Sequence, residues 1–508
     1  MINNISQVIS SSAQLFGEKT ALVFNGDQFS YRELDQLSNQ FASALSDSYI
    51  QPGDTVTLYG ENAWEWIVAY FGILKTGAVV NPVNVMLTPD EVEYVVQDCC
   101  AQVIVASKSK GKALIGIQQR TGVKGLILYG ENIPGGAESF NQILGQGSDE
   151  YISPEIDKDS LSTVCYTSGT TGNPKGAMLA HRSIITNIIA TSLMHGRSES
   201  DVVVSALPCP HVYGNVVFNS TFYKGGTLVL LERFDVDQVF ASINKYQATM
   251  FEGVPTMYMY MLDHPDLSVV NFSSFRLCTV GGQTMPISKM EAVEAATGCP
   301  LIELWGMTEI GGLGTTFAHD GDYKHGSIGV SLPYTRVKVV DVEDSSKELN
   351  SEEIGELMVS GPLVMQGYYG NEEATRETIN SEGWLHTGDL AKMDKDGCVF
   401  VVDRKKDMII TAGYNIYPAE LERVIAGHPD VALVAVGPII DETKGELAKA
   451  YIVPKQSASL DSEDILSFCR EHLAAYKIPR AVQFVEDLPK TSSGKIMRRK
   501  LHTLDENQ

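Results

Sequence analysis

Residues 163–176 read T-V-C-Y-T-S-G-T-T-G-N-P-K-G. The first part, 163–166, is apolar or β-branched and predicts a short buried strand. The glycines and hydroxyl groups that follow can turn backbone N–H and side-chain O–H donors toward an anion, with the Lys175 amine beside them. We therefore predict a phosphate-holding loop. Its small and hydroxylated residues are Thr167, Ser168, Gly169, Thr170, Thr171 and Gly172.

This stretch does not match the common P-loop pattern, because Gly176 rather than a serine or threonine follows Lys175. A plain polar turn between a strand and a helix is the alternative for a segment of this composition. A choice between a turn and a ligand-binding loop therefore depends on which other motifs the chain contains.

The chain has 39 basic and 63 acidic residues, so its formal net charge is −24 at pH 7. Nucleic acids and anionic membranes attract proteins through clustered lysine and arginine, so neither is expected as the main partner. A small anionic ligand needs only a local positive site and stays compatible with this charge. The length of 508 residues, 44% of them hydrophobic, is enough for a large core and more than one domain.

The eight cysteines are dispersed along the chain and form no C-x-x-C pair. We expect free thiols in a reducing cytoplasm rather than zinc ligands or disulfides. The first residues lack the basic start and apolar segment of a signal peptide, and no apolar run reaches membrane-spanning length. The expectation is a cytoplasmic protein without an integral membrane segment, present as a monomer or homodimer.

Helical patterns alternate with short apolar strands through most of the chain. Ser30 and Glu33 have the spacing of a capping box and open one amphipathic helix. Residues 103–105 and 126–128 are short apolar runs between such helices. This alternation predicts an α/β fold with a mostly parallel sheet covered on both faces. Beyond residue 430, two apolar strands and a helix suit a smaller α+β domain.

Two motifs in the middle of the chain carry candidate pocket residues. Residues 208–214 read P-C-P-H-V-Y-G and contain His211, although a single histidine is more often a satisfied core residue than a catalyst. Gly281 and Gly282 follow an apolar run and predict a strand that ends in a tight turn.

A more specific motif is L-W-G-M-T-E at residues 304–309. The end of a strand would present here the aromatic face of Trp305, the hydroxyl of Thr308 and the carboxylate of Glu309. Nucleotide chemistry needs these parts, since a base stacks on an aromatic ring, a hydroxyl donates to phosphate and a carboxylate oxygen binds Mg²⁺.

Three motifs follow toward the C-terminus. Residues 384–389 read W-L-H-T-G-D, where Asp389 could accept hydrogen bonds from two ribose hydroxyls. Residues 403–407 read D-R-K-K-D, and Lys495 follows a Ser-Ser-Gly run. Each of these motifs, taken alone, is typical of a solvated turn.

In this order along the chain, the motifs resemble those of the adenylate-forming enzymes, which include acyl-CoA synthetases, firefly-luciferase-like enzymes and peptide-synthetase adenylation domains. The resemblance extends from Leu74 to Lys495, essentially the whole chain. Trp305 departs from the tyrosine that is commoner in the family's Y-G-x-T-E motif; the change keeps a stacking surface and loses the phenol hydroxyl.

The resemblance implies a large N-terminal domain of layered α/β subdomains, residues 1–403, and a small mobile α+β domain, residues 404–508. It implies Lys406 as the hinge between them and a CoA site near Gly413. It also implies an ATP site and Mg²⁺ bound by Glu309. The implied ATP-binding residues are Thr167, Ser168, Gly169, Thr170, Thr171, Gly172, Lys175, Gly282, Trp305, Gly306, Met307, Thr308, Asp389, Arg404 and Lys495.

The family's reaction joins a carboxylic acid to ATP as an acyl-adenylate with release of pyrophosphate, and CoA then displaces AMP. The implied catalytic residues are Lys495, Thr308, Glu309 and His211. The implied acyl pocket contains His211, Val212, Tyr213, Asn215, Gly281, Gly306 and Leu313.

Apolar residues near Trp305 favour a medium- or long-chain fatty acid as the substrate. An aryl acid resembling hydroxycinnamate is the alternative, because Tyr213 and Asn215 could serve its phenol. Two further hypotheses concern the activity itself: an adenylating enzyme that uses a separate carrier protein, and a nucleotide-binding protein without catalysis. The presence of Lys495, Glu309 and Asp389 disfavours the non-catalytic protein.

Overall fold

The computed structural model of the chain describes residues 2–167, 174–411, 414–441, 445–455, 460–491 and 496–505. Within these residues, helices alternate with strands along most of the chain, as the sequence predicts. The α-helices are α1 (Gln7–Phe16), α2 (Tyr31–Ser48), α3 (Trp64–Lys75), α4 (Pro89–Asp98), α5 (Gly111–Thr121), α6 (Phe140–Gln146), α7 (His181–Met194), α8 (Val212–Tyr223), α9 (Val236–Tyr246), α10 (Pro255–Leu262), α11 (Ile287–Thr297), α12 (Glu372–Thr378), α13 (Pro418–Ile425) and α14 (Ser462–His472).

Short 3₁₀ helices cover Lys108–Lys110, Pro265–Val269, Thr308–Ile310 and Arg498–Leu504. The strands are β1 (Thr20–Phe24), β2 (Asp27–Ser30), β3 (Thr55–Tyr59), β4 (Val79–Val83), β5 (Val103–Ser107), β6 (Gly125–Tyr129), β7 (Glu138–Ser139), β8 (Leu161–Thr167), β9 (Lys175–Ala180), β10 (Val202–Ser205), β11 (Thr227–Leu230), β12 (Met250–Gly253), β13 (Leu277–Gly281), β14 (Leu301–Met307), β15 (Gly312–Thr316), β16 (Val330–Ser331), β17 (Arg336–Val340), β18 (Gly355–Ser360), β19 (Gly367–Tyr368), β20 (Leu385–Met393), β21 (Val399–Arg404), β22 (Ile409–Thr411), β23 (Tyr414–Ile416), β24 (Val431–Asp441), β25 (Gly445–Pro454) and β26 (Ala481–Phe484).

The predicted capping box at the start of α2 is confirmed. The Glu33 backbone N–H donates to Ser30 Oγ over 3.2 Å, and the Ser30 N–H donates to Glu33 Oε2 over 2.7 Å. These bonds satisfy donors that would be unpaired in the first helical turn. A second capping box, formed by Thr88 and Glu91, starts α4.

Sheet I has nine strands in the order β16-β15-β14-β13-β12-β10-β11-β1-β2. Its central strands are parallel, and antiparallel strands lie at both edges. Strand β10 lies between β11 and β12, and the chain leaves β10 toward β11 but leaves β12 toward β13 on the opposite side, which makes a switch point between β10 and β12. In an open α/β sheet, ligands bind beyond the carboxyl ends of the strands at such a switch point.

Sheet II has eight strands in the order β19-β9-β8-β4-β3-β5-β6-β7. Strand β3 lies between β4 and β5 and is parallel to both, which makes a second switch point of the same kind. The 163–166 run lies in β8, as predicted, and β8 pairs antiparallel with β9. The segment after the predicted phosphate loop is therefore a strand, and the helix α7 begins only after β9.

Two smaller sheets complete the fold. Sheet III has the order β17-β18-β20-β21, and sheet IV contains β23, β22, β25 and β24, with β26 paired to β25. Sheets I to III belong to the large N-terminal domain and sheet IV to the small C-terminal domain. Both strands and the helix predicted beyond residue 430 are present as β24, β25 and α14.

The apolar core follows this division. One large cluster joins sheets I and II, and a second cluster packs α4 and α5 on the outer part of sheet II. The C-terminal domain has two small clusters of its own. All eight cysteines lie within the described residues and are free thiols, and seven of them are buried. Among the described helices, none is both long and apolar enough to cross a membrane.

A buried histidine ties the N-terminal segment to α7. His181 is the first residue of α7 and is 1% exposed. The backbone N–H of Ile5 donates to its Nδ1 over 3.2 Å, which requires that nitrogen to be unprotonated. Burial lowers the pKa of His181 from 6.5 to about 4, because the charged imidazolium would lose its hydration.

We predict that His181 makes the folded state sensitive to acid. Below pH 6.5 the unfolded chain binds a proton at this residue that the folded chain does not, so stability falls as the pH drops toward 4. Between pH 7 and pH 5 the loss is about 2 kcal/mol from this group. His181→Gln should reduce the drop in the apparent thermal midpoint over this interval.

The exposed His502 supplies the control, since His502→Gln should leave the drop at its wild-type size. An unchanged acid sensitivity in His181→Gln would contradict the assignment.

Candidate functional site

The candidate site lies beyond the carboxyl ends of the sheet I strands. His211 follows β10, Gly281 ends β13 and Gly282 comes next, while Met307 ends β14. Gly282 has φ = 91°, a left-handed conformation that favours glycine. The sheet therefore brings together three motifs that are far apart in sequence, at the place where the switch-point rule predicts a ligand.

Glycines allow β14 and β15 to lie unusually close at this edge. A Cβ atom on Gly306 would be 1.9 Å from the carbonyl oxygen of Gly312, and one on Gly312 would be 2.4 Å from Val216 Cγ2. Asn187 of α7 fixes the same segment, since its Nδ2 donates to Leu313 O over 2.7 Å and its Oδ1 accepts from Leu313 N over 3.1 Å. The 306–313 segment is thus rigidly placed against α7 and α8.

The Asp389 carboxylate joins sheet I to sheet III. The indole N–H of Trp305 donates to Asp389 Oδ2 over 2.7 Å, and Arg404 Nε lies 2.6 Å from Asp389 Oδ1. The Asp389 side chain is 4% exposed and that of Arg404 is 43% exposed. Asp389 and Arg404 are also paired across β20 and β21. A ribose that binds here would therefore meet an aspartate that Trp305 and Arg404 already hold in position.

Local bonds fix the turn that carries Asp389. The Asp389 backbone N–H donates to Thr387 Oγ1 over 3.1 Å, and the Thr387 hydroxyl donates to Leu357 O over 2.7 Å. Gly388 between them has φ = 69°. The predicted T-G-D motif therefore lies within strand β20, at the irregularity in its pairing with β18, rather than in a solvated loop.

A second buried carboxylate belongs to Glu309, in the 3₁₀ turn that follows β14. The Tyr368 hydroxyl donates to Glu309 Oε1 over 2.8 Å, and Lys175 Nζ lies 5.3 Å from the centre of the Tyr368 ring. Burial, and next the Glu309 charge, raise the pKa of Tyr368, so that its hydroxyl stays protonated and donates. This arrangement brings the Glu309 carboxylate, the Tyr368 phenol and the Lys175 amine together near the start of β9.

Seven of the predicted site residues lie outside the described residues. They are Ser168, Gly169, Thr170, Thr171, Gly172, Gly413 and Lys495. Residues on either side of the first gap are described: Thr167 ends β8, Lys175 begins β9, and the two are paired across the strands. On either side of the last gap, Lys490 and Ile496 form an isolated β-bridge.

His211 starts helix α8 and is partly exposed. Its Nδ1 accepts a hydrogen bond from the Tyr213 backbone N–H over 3.2 Å and so serves as the helix cap. This role fixes the orientation of the imidazole ring at the edge of sheet I.

The Tyr213 hydroxyl belongs to a buried polar network below this edge. It lies 2.8 Å from Thr279 Oγ1, and the Thr279 hydroxyl lies 3.1 Å from Glu252 Oε2. Arg197 forms an ion pair with Glu252, with both side chains 1% exposed. The sequence suggests that Tyr213 could bind a phenol group of an aryl substrate. In the structure its hydroxyl is instead directed to Thr279 in the protein interior.

A small internal void of about 10 Å³ lies between β8, β9, α7 and α8. Val212 and Asn215, two of the predicted acyl-pocket residues, line it. Tyr213, Gly281, Gly306 and Leu313 do not belong to its lining. The residues that line the void are Pro82, Thr163, Cys165, Leu179, Ile184, Pro210, Val212, Asn215 and Gly311.

Contacts between the domains lie next to the site. Arg498 Nη1 is 2.7 Å from Asp403 Oδ1 of β21, and Arg498 Nη2 is 2.6 Å from Glu422 Oε2 of α13. Lys490 Nζ donates to the hydroxyl of Tyr260 in the N-terminal domain over 2.9 Å. The Arg498–Asp403 pair holds the C-terminal domain against sheet III, and the Lys490–Tyr260 bond holds it against α10 in this conformation.

Lys406, the predicted hinge residue, lies in the turn between β21 and β22 and is exposed. It thus connects the last strand of sheet III with the first strand of sheet IV.

Several residues of this arrangement are absent from the sequence prediction. Tyr368 lies in a G-Y-Y-G run that carries no recognisable ligand pattern, and Arg498 follows Lys495 in a motif that predicts no role for it. The donor role of the Trp305 indole is also missing from the prediction. An aromatic residue with an N–H group near a buried aspartate would have been the available signal for that bond.

Comparisons with known proteins agree with this geometry. The profile of the AMP-binding enzyme family matches residues 9–369, and that of the AMP-binding enzyme C-terminal domain matches residues 420–495. A long-chain-fatty-acid–CoA ligase of Salmonella typhimurium is 35% identical over 532 residues, which covers 98% of this chain and 94% of that protein.

Two solved structures are similar over nearly their whole length. The anthranilate CoA ligase AuaEII in complex with anthranoyl-AMP has a TM-score of 0.93 and 28% identity, with 99% of this chain and 97% of that chain covered. ATP-bound MatB from Rhodopseudomonas palustris has a TM-score of 0.91 and 31% identity, with 100% and 99% covered. The chain belongs to the AMP-binding enzyme family and is an adenylate-forming acyl-CoA synthetase that uses ATP and CoA as substrates.

Proposed function

We propose that the acid activated by this synthetase is a medium- or long-chain fatty acid. The observation that carries the proposal is the 35% identity to a long-chain-fatty-acid–CoA ligase over 98% of this chain. The residues around the void beside the 306–313 segment agree with it, because none of them is charged and a second carboxylate would find no counter-charge there. The void itself, at about 10 Å³, has room for about one water molecule, so an acyl chain would need further space beside it.

An aryl acid is the second candidate. Asn215 is a polar residue in the lining of the void, and the similar AuaEII structure is that of an anthranilate CoA ligase. However, Asn215 Oδ1 already accepts from Asn219 Nδ2 over 3.0 Å, so an aryl substituent would have to compete for it. A separate carrier protein in place of CoA is a third candidate, and replacing the acceptor in the assay distinguishes it.

The reaction brings two anions together, so its catalysis rests on charge neutralisation and positioning rather than on a general base. The acid carboxylate attacks the α-phosphorus of ATP, a new C(O)–O–P bond forms, and the P–O bond to pyrophosphate breaks. We assign the β- and γ-phosphates to the 167–175 loop and Lys175, the α-phosphate to Thr308 and the ribose to Asp389 and Arg404. Lys495 is assigned to the acyl carboxylate and the α-phosphate.

In the second half-reaction, the CoA sulfur attacks the acyl carbon as a thiolate, and AMP leaves with the electron pair of the broken C–O bond. We propose that the C-terminal domain, residues 404–508, rotates about Lys406 between the two steps. The rotation would remove Lys495 and bring the Gly413 segment to the CoA thiol.

Mg²⁺ fits the carboxylate that we assign to it. Glu309 is buried at 8% exposure, and among the described residues the Tyr368 hydroxyl bonds to Oε1 and none bonds to Oε2, which is an oxygen ligand of the kind that Mg²⁺ prefers. When bound, the ion would offset phosphate charge. Tyr368 would then orient the Glu309 carboxylate.

The acid preference is tested by pyrophosphate release with ATP, CoA and a panel of acids. Monocarboxylates of eight or more carbons should exceed acetate in kcat/KM by more than about tenfold, since each buried methylene contributes about 0.8 kcal/mol. A hydroxycinnamate as the best substrate would favour the aryl candidate, and acetate or malonate as the best would refute both. Replacing CoA with carrier proteins in the same assay tests the acceptor.

We predict that Trp305→Phe weakens adenylation. The change keeps an aromatic ring but removes the N–H that holds the buried Asp389 Oδ2. A hydrogen bond to a charged group contributes about 1.5–3 kcal/mol, so kcat/KM for ATP should fall roughly ten- to hundredfold. Pyrophosphate exchange with varied ATP measures this.

Trp384→Phe is the matched control, because the Trp384 ring lies over Lys338 at 4.4 Å and contacts no assigned ATP residue among those described. Equal values for wild type and Trp305→Phe would show that the indole N–H does not position Asp389.

A pair of variants separates the two half-reactions. Lys495→Ala should lower adenylate formation by about 10²–10³, the usual effect of removing one preorganised charge contact, and should spare conversion of supplied acyl-adenylate and CoA to thioester. Lys406→Pro should spare adenylate formation and block thioester formation, because proline fixes φ and prevents rotation about the hinge. Lys500→Ala, an exposed lysine nearby, should change neither step.

Single-turnover assays of each half-reaction give the comparison. If both variants lose both steps equally, neither role is correct.

A further inference from the structure

A crevice of about 580 Å³ lies at the carboxyl end of sheet II, away from the site described above. Tyr59 at the end of β3, Leu87 in the segment after β4, and Lys110 in the segment after β5 all line it. The first turns of α4 and α5 complete its walls. Its volume lies within the range of about 300–1,000 Å³ that small-molecule sites occupy.

The position of the crevice follows from the strand order. Strand β3 is hydrogen-bonded to β4 on one side and to β5 on the other. The chain leaves β3 toward β4 and leaves β5 toward β6 on the opposite side, so the strand order reverses between β3 and β5. Sheet I has the same feature at β10, and its switch point holds the His211 end of the catalytic site. Sheet II therefore has the same topological reason to bind a ligand beyond its own strand ends.

One wall of the crevice is apolar. Val92 of α4 and Leu114 and Ile117 of α5 line it, and all three are buried in the cluster that packs these helices on sheet II. Leu87 packs against the same cluster. Because Val92, Leu114 and Ile117 are at most 1% exposed, they form the floor of the crevice, and an apolar chain above them would cover the accessible surface of Leu87 and Pro89.

The opposite wall carries amines. Lys110 Nζ donates to Val85 O over 3.0 Å and lies 5.3 Å from the centre of the Tyr59 ring. Its nearest carboxylate oxygen, Glu61 Oε1, is 3.8 Å away, a separation that is long for an ion pair. The exposed Lys112 is the second amine of the crevice.

Other groups already occupy the Glu61 carboxylate. The hydroxyl of Ser107 donates to Glu61 Oε2 over 2.5 Å, and that of Ser109 donates to Oε1 over 3.1 Å. Lys110 is therefore positioned by Val85 and Tyr59, and the charged Glu61 lies 3.8 Å away without a direct hydrogen bond to it. The exposed Lys112 supplies a second amine, so in a protein of net charge −24 this crevice offers a local positive site for an anion with an apolar tail.

We propose that this crevice is a second ligand site, separate from the catalytic centre, that binds a fatty carboxylate. The head group would lie at Lys110 and Lys112, and the alkyl chain would lie along Leu87 and Pro89, above the buried floor. The catalytic acyl pocket is not needed for this binding, because β4 lies between β3 and the strand β8 that leads into the ATP loop. The proposal goes beyond the ligase reaction and does not depend on which acid is activated.

Decanesulfonate is a suitable probe, because a sulfonate matches the charge of the carboxylate and is a poor nucleophile toward ATP. The catalytic site is first saturated with a non-hydrolysable sulfamoyl analogue of the acyl-adenylate, and decanesulfonate is then titrated below its micelle concentration in a calorimeter. We expect one saturable site per chain. The full-length enzyme is used throughout.

The double variant Lys110→Met, Lys112→Met should weaken decanesulfonate binding by about tenfold or more, since charge-assisted contacts contribute on that scale. The control Lys395→Met, Lys500→Met removes the same charge from two exposed lysines elsewhere and should bind as the wild type does. Ala113→Trp places a large ring in the crevice from an exposed position, keeps both amines, and should abolish binding.

Pyrophosphate release from ATP and the preferred acid should persist in all these variants, which shows that they are folded and that the catalytic site is intact. Absence of a saturable site in the wild type would overturn the proposal. So would equal weakening in the control variant, or displacement of decanesulfonate by CoA alone, which would assign the crevice to the thiol substrate.

Discussion

The contact between sheet I and sheet III depends on one buried carboxylate, that of Asp389. Asp389 comes from sheet III, yet one of its oxygens is held by Trp305 of sheet I and the other by Arg404 of the neighbouring strand. A buried carboxylate without such partners would be strongly disfavoured. The two sheets must therefore stay packed together for Asp389 to be buried in its ionised form. The same Arg404 is followed by the turn that leads into the C-terminal domain. Arg404 therefore takes part both in the contact that holds Asp389 and in the connection to the C-terminal domain.

Close backbone packing places the other groups. The contact between Gly306 and Gly312 leaves no space for a side chain, and Asn187 fixes the segment from α7. As a result Glu309 is buried in a short turn with Tyr368 donating to it. An edge strand of sheet II supplies Tyr368, while sheet I supplies Glu309, so this carboxylate too lies where the two large sheets meet.

Charge is distributed unevenly over the molecule. The chain is strongly acidic overall, but Arg404 and Arg498 pair with Asp389 and Asp403 where sheet III meets the C-terminal domain, and Lys175 lies beside Tyr368 at the start of β9. Arg498 bridges Asp403 and Glu422 and so links the last strand of the large domain with the first helix of the small one. This pairing is specific to one relative orientation of the domains, because Asp403 and Glu422 belong to different domains. A rotation of the C-terminal domain would have to break it.

The sequence by itself determined the elements and the family. Capping boxes, apolar periodicity and the ordered motifs depend on residues that are close along the chain, so α2, α3, β8 and the α/β class were all predictable. The ligase class followed from motifs whose order is visible in the sequence. The polar partners were decided only by tertiary structure: Trp305 with Asp389, Glu309 with Tyr368, Tyr213 with Thr279. Each pair joins residues dozens to scores of positions apart, and no local pattern encodes which side chains meet when separate sheets pack. The crevice of sheet II has the same origin, because a switch point is a property of strand order, which the chain acquires only on folding.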